Sequence, residues 1–197
     1  DAVFLLGLIA GFYGRIRYKS RRIVRTKGVD LVLILGIDPG TAITGYGIIE
    51  AVGSRLVMHD YGVIRTPAGR RLEHRLEQVY DGMSQLIDHW KPDEVAIEEL
   101  FFNKNTRTAL TVGQARGVLL LAAAHHGLPV GEYTPLQVKQ AVVGNGRAEK
   151  QQVQYMVKVL LNMSSIPQPD DAADALAIAI CHAHWYATKR NFQQKER

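Results

Sequence analysis

The feature that most constrains the fold of this chain is a short apolar run, Leu31–Ile37, that ends in one carboxylate, Asp38. Short apolar runs bounded by turn residues are typical of buried strands, and Pro39-Gly40 ends this one. Asp38 would then stand where a rigid strand emerges from the core. On this stretch alone, Asp38 could equally be a turn-forming residue ahead of Pro-Gly. Residues 44–49 predict a second strand, antiparallel to the first.

Residues 93–100 repeat this design, because an apolar stretch ends in Glu98 and Glu99. Neighbouring side chains on a strand point to opposite faces, so these two carboxylates cannot both face one site. The residues themselves do not decide between them. Between the two stretches, residues 54–66 predict a third strand. Apolar residues at helical spacing over 72–87 then predict an amphipathic helix that ends before Pro92.

The second half of the chain predicts four helices and one strand. A long helix over 106–126 contains Gly113 and Gly117, which favour close helix packing or a dimer face. A strand over 128–133 and a short helix over 135–143 follow, and the short helix carries Lys139. The next helix, 148–161, has Lys150 in its first turn, where a cation opposes the helix dipole. That placement favours a role for Lys150 in binding a ligand.

The last helix carries an isolated carboxylate, Asp174, in an alanine-rich and otherwise apolar sequence. Such a helix is buried nearly all round, and a buried carboxylate is costly unless it is paired or bound to metal. Asp171 lies three residues earlier on the same helix face. A helix cap accounts for Asp170 or Asp171 but not for Asp174. We therefore predict that this helix contributes to a metal site.

The charge of the chain is unevenly distributed. The formal net charge of +5 comes from residues 1–30, because residues 31–197 contain equal numbers of acidic and basic side chains. We interpret residues 1–30 as a basic extension that is either translated leader or disordered. If it is a leader, the protein itself would start near Val29. The alternative is an ordered basic arm that binds DNA. Residues 31–188 form the predicted domain and 189–197 a polar tail. Within the domain, an acidic stretch (31–99) and a basic one (100–169) suit a metal centre beside a phosphate-binding surface, although a mixed solvated surface is the simpler alternative.

The amino-acid composition bears on disulfide bonds, zinc binding, the cellular compartment and membrane spans. A single cysteine, Cys181, excludes an intramolecular disulfide and a multi-cysteine zinc site, and it favours a reducing, cytoplasmic compartment. The chain lacks an uncharged apolar run of 18 residues, so we expect no membrane span.

The acidic residues predict hydrolytic chemistry on phosphate. Asp38, one of Glu98 and Glu99, Asp171 and Asp174 supply oxygen ligands only, which select Mg²⁺ or Mn²⁺. Two such ions can drive an in-line displacement at phosphorus. The sequence has no P-loop and no Ser/His/Asp signature. The main rival is an ATP-binding kinase or ATPase of the actin and sugar-kinase type, whose phosphate loop resembles 38–41.

At this point the motifs match a family. The chain resembles RuvC, the Holliday junction resolvases of bacteria, in segments that run in order from about Leu33 to Ala183. The matching segments are 36–40, 44–47, 96–98, 101–105, 113–117, 137–140, 148–150 and 171–177. The resemblance implies an α/β fold of the ribonuclease-H type, with a mixed five-stranded sheet flanked by helices on both faces.

The resemblance also implies roles for individual residues. It chooses Glu98 over Glu99 and Asp171 over Asp170, which is left as a cap. The implied catalytic and metal-binding set binds Mg²⁺, with Mn²⁺ as a substitute and two ions in each active site; its members are Asp38, Glu98, Asp171 and Asp174. The implied DNA-binding set contains an aromatic that stacks near the junction crossover and phosphate-binding lysines; its members are Phe101, Lys104, Lys139 and Lys150.

The implied activity is symmetric, paired nicking of a four-way DNA junction in recombination and repair. The family acts as a homodimer through the helix at 106–126, works with a branch-migration motor complex, and prefers a short T-rich cleavage sequence. A junction-binding protein without catalysis is disfavoured, because all four acidic positions are filled. The extension at 1–30 has no counterpart in the family pattern.

Overall fold

The computed structural model describes residues 31–100 and 106–195, and these form five strands and five helices. The strands are β1 (Leu31–Asp38), β2 (Ile43–Val52), β3 (Arg55–Arg65), β4 (Glu94–Glu98) and β5 (Val130–Tyr133). The helices are α1 (Leu72–Trp90), α2 (Thr106–His125), α3 (Pro135–Val143), α4 (Lys150–Leu160) and α5 (Asp170–Lys195). Each predicted strand and helix of the described part is present, with ends that differ by a few residues.

The strands form one mixed sheet in the order β3-β2-β1-β4-β5. The first three strands are a meander, because β1 pairs antiparallel with β2 and β2 pairs antiparallel with β3. β4 then pairs parallel with β1, and β5 pairs parallel with β4. The carboxyl ends of β1, β4 and β5 therefore meet at one edge of the sheet.

Helices cover both faces of this sheet, as predicted. One buried cluster joins odd-numbered residues of β1, such as Leu33 and Leu35, to α1 and α2. The other joins even-numbered residues, such as Val32 and Ile34, to α3, α4 and α5. Alternation along the strands thus fills two separate cores, and it assigns each strand-end residue to one of the two faces.

Two glycines allow α5 to lie directly on the sheet. A Cβ atom at Gly36 would overlap the backbone carbonyl oxygen of Ala175 and lie 2.7 Å from the Cβ of Ala179. A Cβ at Gly45 would overlap the backbone carbonyl oxygen of Asp171. The alanines that the sequence places in α5 serve the same close approach. The helix that carries the two aspartates is therefore held against the ends of β1 and β2.

The two ends of the chain differ in how they compare with the predictions. The extension at 1–30 lies outside the described residues, and its interpretation stays a prediction. At the other end, α5 continues to Lys195 through most of the predicted polar tail. No helix in the described part of the chain is long and apolar enough to cross a membrane.

Candidate active site

Asp38 and Glu98 lie side by side at the carboxyl edge of the sheet. Asp38 is the last residue of β1, Glu98 is the last residue of β4, and Ile37 is the register partner of Ile97. Asp38 follows Gly36 on the strand face that α5 covers, and Glu98 follows Ala96 on the same face. Two carboxylates from segments about sixty residues apart therefore face one helix.

The next residue, Glu99, lies beyond the end of β4. Its backbone N–H donates to the carbonyl oxygen of Tyr133 at 2.8 Å, which continues the pairing with β5. Glu98, in contrast, lines a cavity of about 230 Å³ together with Asp38 and Asp174. The geometry thus separates the two glutamates as strand alternation requires.

Asp171 and Asp174 reach this edge from the first two turns of α5. Asp174 lines the 230 Å³ cavity, whereas Asp171 lines a neighbouring cavity of about 460 Å³ beside the turn after β1. The charge of Asp171 still acts on both Asp38 and Asp174. Three of the four predicted acidic residues therefore share one cavity, and Asp171 is linked to Asp38 and Asp174 by charge while it lines another.

Crowding and burial favour the protonated forms of these carboxyl groups when no cation is bound. Burial, followed by the charges of Glu98, Asp174 and Asp171, raises the pKa of Asp38 to about 8. Burial and then Asp174 raise the pKa of Glu98 to about 7. Burial also raises the pKa of Asp174. Positive charge beside these groups would oppose the shifts and favour the ionised carboxylates.

Lys150 supplies part of that charge. Its Nζ atom lies 2.9 Å from Oδ2 of Asp174 and 3.4 Å from Oδ2 of Asp170. Burial acts to lower the pKa of Lys150, but the hydrogen bond and charge of Asp174, with those of Asp170, raise it above its usual value. Lys139 lines the same cavity, and its charge lowers the pKa of Glu98. Both predicted phosphate-binding lysines therefore lie at the acidic cavity.

Asp170 does not cap α5 as predicted, because it is the first helical residue. The carbonyl oxygen of Pro169 accepts from the backbone N–H groups of Ala172 and Ala173, so the cap lies one residue earlier. The Asp170 side chain instead accepts a hydrogen bond of 3.0 Å from Nε2 of Gln154 and pairs with Lys150. Asp170 thus ties α4 to α5 at the rim of the site.

The donor set fits hard divalent cations in its chemistry. All four groups are carboxylates, and the raised pKa values of Asp38, Glu98 and Asp174 reflect burial and mutual repulsion that a cation would relieve. Within the described residues, no three acidic or histidine side chains are gathered tightly enough to hold an ion as they stand. Lys150 instead provides the positive charge at Asp174.

Comparison with known proteins decides the family. The family model described as "Crossover junction endodeoxyribonuclease RuvC" matches residues 34–182, which is most of the chain. A protein of that name from Pelotomaculum thermopropionicum is 60% identical over 164 residues, covering 83% of this chain and all of the relative. The chain belongs to the RuvC family. A second RuvC, from Clostridioides difficile, is 60% identical over 153 residues and is covered over 90% of its length.

Solved structures agree with this assignment. The chain superposes on Thermus thermophilus RuvC in complex with a Holliday junction substrate with a TM-score of 0.76 and 35% identity, covering 80% of this chain and 96% of that one. The yeast mitochondrial Holliday junction resolvase gives a TM-score of 0.60 at 16% identity, which shows a shared fold. The ribonuclease-H-like fold predicted from the RuvC resemblance is confirmed.

Phe101 and Lys104, the other two residues predicted to bind DNA, lie outside the described residues. In the sequence, residues 101–105 lie between β4 and α2, and only Glu99 and Leu100 separate them from Glu98. Their roles in this RuvC family member stay predictions.

Sequence reasoning missed Arg116 as a residue that positions the site. Its Nε atom donates to the backbone carbonyl oxygen of Glu98 at 3.0 Å, and its guanidinium group pairs with Glu132. Arg116 thus links α2 to the end of β4 at the residue that carries a candidate ligand. The only available signal was an arginine within an alanine- and leucine-rich helix, and that pattern does not reveal its partner.

The metal-free protein is expected to lose stability as the pH rises from about 4 to about 8. The pKa of Asp38 rises from an ordinary 3.8 to about 8, and that of Glu98 from 4.5 to about 7. In this window the folded state binds more protons than the unfolded state, so the free energy of unfolding falls with increasing pH. We expect Asp38→Asn to remove much of this loss, which thermal melting in EDTA at pH 5 and pH 8.5 would measure. An equal difference between variant and wild type at both pH values would contradict this account.

Proposed function

We propose that this chain is a structure-selective endodeoxyribonuclease that resolves four-way DNA junctions by symmetric, paired nicks, in recombination and repair. The observation that carries the proposal is the arrangement of the acidic residues in a member of the RuvC family. Asp38, Glu98, Asp171 and Asp174 come from three separate segments and act electrostatically on one another at one edge of the sheet. The relatives cited above bear the name of the same activity.

The four carboxylates would hold Mg²⁺, with Mn²⁺ as a substitute and two ions in each active site. Bound there, divalent ions would activate a water nucleophile and stabilise the leaving oxygen of the phosphodiester. The residues of the chain fix where this happens. Asp38 and Glu98 are anchored on rigid strand ends, and α5 holds Asp171 and Asp174 against them through its contact with Gly36 and Gly45.

The two lysines would bind the DNA backbone. Lys139 and Lys150 line the acidic cavity from α3 and α4, so they can reach a phosphate that approaches the carboxylates. Lys150 pairs with Asp174 in this structure, so its positive charge lies beside a proposed metal ligand. Phe101 would stack on a base near the junction crossover, beside Lys104.

A homodimer would supply the two active sites that paired nicking requires. One face of α2 is exposed and partly apolar, with Leu110 at 65% and Leu121 at 48% exposure. Gln114 and Gly117 are exposed between them, at the spacing of one helix face. This stripe fits the role in dimer formation that the family resemblance implies for this helix. A branch-migration motor complex in the cytoplasm remains the predicted working partner.

Leu121→Glu is expected to convert the dimer to a monomer. A charge introduced into the apolar stripe at Leu121 would be buried without a partner in the dimer, which costs several kcal/mol. Light scattering coupled to size-exclusion chromatography would measure the mass. Val159→Glu, which changes a residue on α4 that is 50% exposed, is the matched control and should stay dimeric. A dimeric Leu121→Glu protein would remove this face from the interface.

The direct test of the activity is incubation of the purified chain with a synthetic four-way junction and Mg²⁺. We expect two nicks at symmetry-related positions in opposed strands, and little cleavage of linear duplex. The kinase or ATPase alternative predicts ATP hydrolysis without DNA and no nicking. Membership of the RuvC family favours the nuclease, and the Asp-x-x-Asp pattern of α5 has no role in the alternative.

A further inference from the structure

A second cavity is lined in part by Asp171, one of the four acidic residues of the candidate site. Its volume is about 460 Å³, and Asp171, Arg75, Thr41 and Thr111 contribute to its lining. Both cavities are lined by residues from the end of β1 or the turn after it and from the first turns of α5. Asp38 and Asp174 face the first cavity, whereas Gly40 and Asp171 face the second. Anything that extends from the carboxylates across Asp171 would enter the second cavity.

Arg75 is held in this cavity by a chain of hydrogen bonds. Its Nε atom donates to Oγ1 of Thr66 at 2.8 Å, and the Thr66 hydroxyl donates to the backbone carbonyl oxygen of Thr41 at 2.6 Å. The hydroxyl of Thr41 in turn donates to the carbonyl oxygen of Thr111 on α2 at 2.7 Å. Arg75 on α1 is thus fixed to the turn that follows Asp38 on β1.

The charged end of Arg75 has no carboxylate partner among residues 31–100 and 106–186. The ion pairs of the described side chains lie elsewhere, and Asp171 shares the cavity with Arg75 without pairing with it. The bond to Thr66 uses Nε, so the two terminal nitrogens remain available to a ligand. A fixed guanidinium group with free terminal donors is suited to a phosphate.

We propose that Arg75 binds a phosphate of the cleaved DNA strand next to the scissile one, so that the second cavity is an additional DNA subsite. This inference rests on the proposed nuclease function. Lys139 and Lys150 line the first cavity, and Arg75 lines the second. A strand crossing the carboxylates therefore meets positive charge on both sides, which fixes its path over the acidic residues.

The first experiment measures junction binding in Ca²⁺ over a series of salt concentrations. Arg75→Gln should lower the slope of log K against log [salt] by about one, because one phosphate contact is lost. Arg75→Lys keeps the charge and should retain most of the slope. Arg55→Gln is the control, because it removes an exposed arginine from the start of β3, at the opposite end of the sheet. An unchanged slope for Arg75→Gln would overturn the proposal.

The second experiment removes single phosphate charges from the DNA and compares wild-type protein with Arg75→Gln. Single methylphosphonate linkages, which remove one phosphate charge, are placed at each position flanking the cleavage site. One position should weaken binding by wild-type protein several-fold and have no further effect on Arg75→Gln. Equal effects on both proteins at every position would contradict the subsite. Failure of wild-type protein to bind or nick the junction would instead contradict the proposed function.

Discussion

Asp38→Asn is expected to lower the rate of junction cleavage by roughly a thousandfold or more while leaving junction binding intact. The substitution keeps the shape of the side chain but removes the charge of a proposed metal ligand, on which the proposed cation-dependent chemistry relies. Glu98→Gln, Asp171→Asn and Asp174→Asn should have the same effect. Single-turnover cleavage in Mg²⁺ and binding in Ca²⁺ would separate the two steps.

The matched control for this series is Glu99→Gln. Glu99 is the adjacent carboxylate, but it lies beyond the end of β4 and does not line the acidic cavity. Its removal should change the cleavage rate by no more than a few-fold. Near-wild-type cleavage by any of the four variants would remove that residue from the catalytic set.

Gly36→Val is expected to destabilise the fold by roughly 3 kcal/mol or more, or to prevent folding. Any Cβ at Gly36 would overlap the backbone of Ala175, so α5 would have to move away from β1. Urea denaturation at pH 7 would measure the change. Gly69→Val is the control, because a Cβ at Gly69 would meet no atom within 4 Å. Equal stability of the two variants would show that α5 does not depend on this close approach.

Much of the fold could be predicted from the spacing of apolar residues along the chain. The apolar run before Asp38 and the helical spacing over 72–87 each predicted the observed element, since each pattern has one dominant structural solution. The capping preferences of the residues did not predict that α5 begins at Asp170. The competing caps, Asp170 and Asp171, are equally good in sequence, whereas the structure uses the carbonyl group of Pro169.

The sequence proposed candidate site residues but did not give the geometry that relates them. Asp174 was conspicuous because a carboxylate in an alanine-rich helix has few structural explanations. The residues themselves left Glu98 and Glu99 open, and only the family resemblance chose Glu98. The position of Glu98 beside Asp38 follows from the register of β1 against β4, which depends on contacts between distant segments. The same holds for Arg116 and Arg75, whose partners lie on other elements and leave no local pattern in the sequence.

In the proposed function, carboxylates from distant segments act as one site for divalent cations. Titration calorimetry of DNA-free protein with Mn²⁺ at pH 8 tests it most directly, because cleavage is not involved. The account predicts saturable binding of about two ions per protomer, with at least one ion lost in each of Asp38→Asn, Glu98→Gln, Asp171→Asn and Asp174→Asn. Wild-type protein that binds no Mn²⁺, or four variants that bind it as wild type does, would contradict the account.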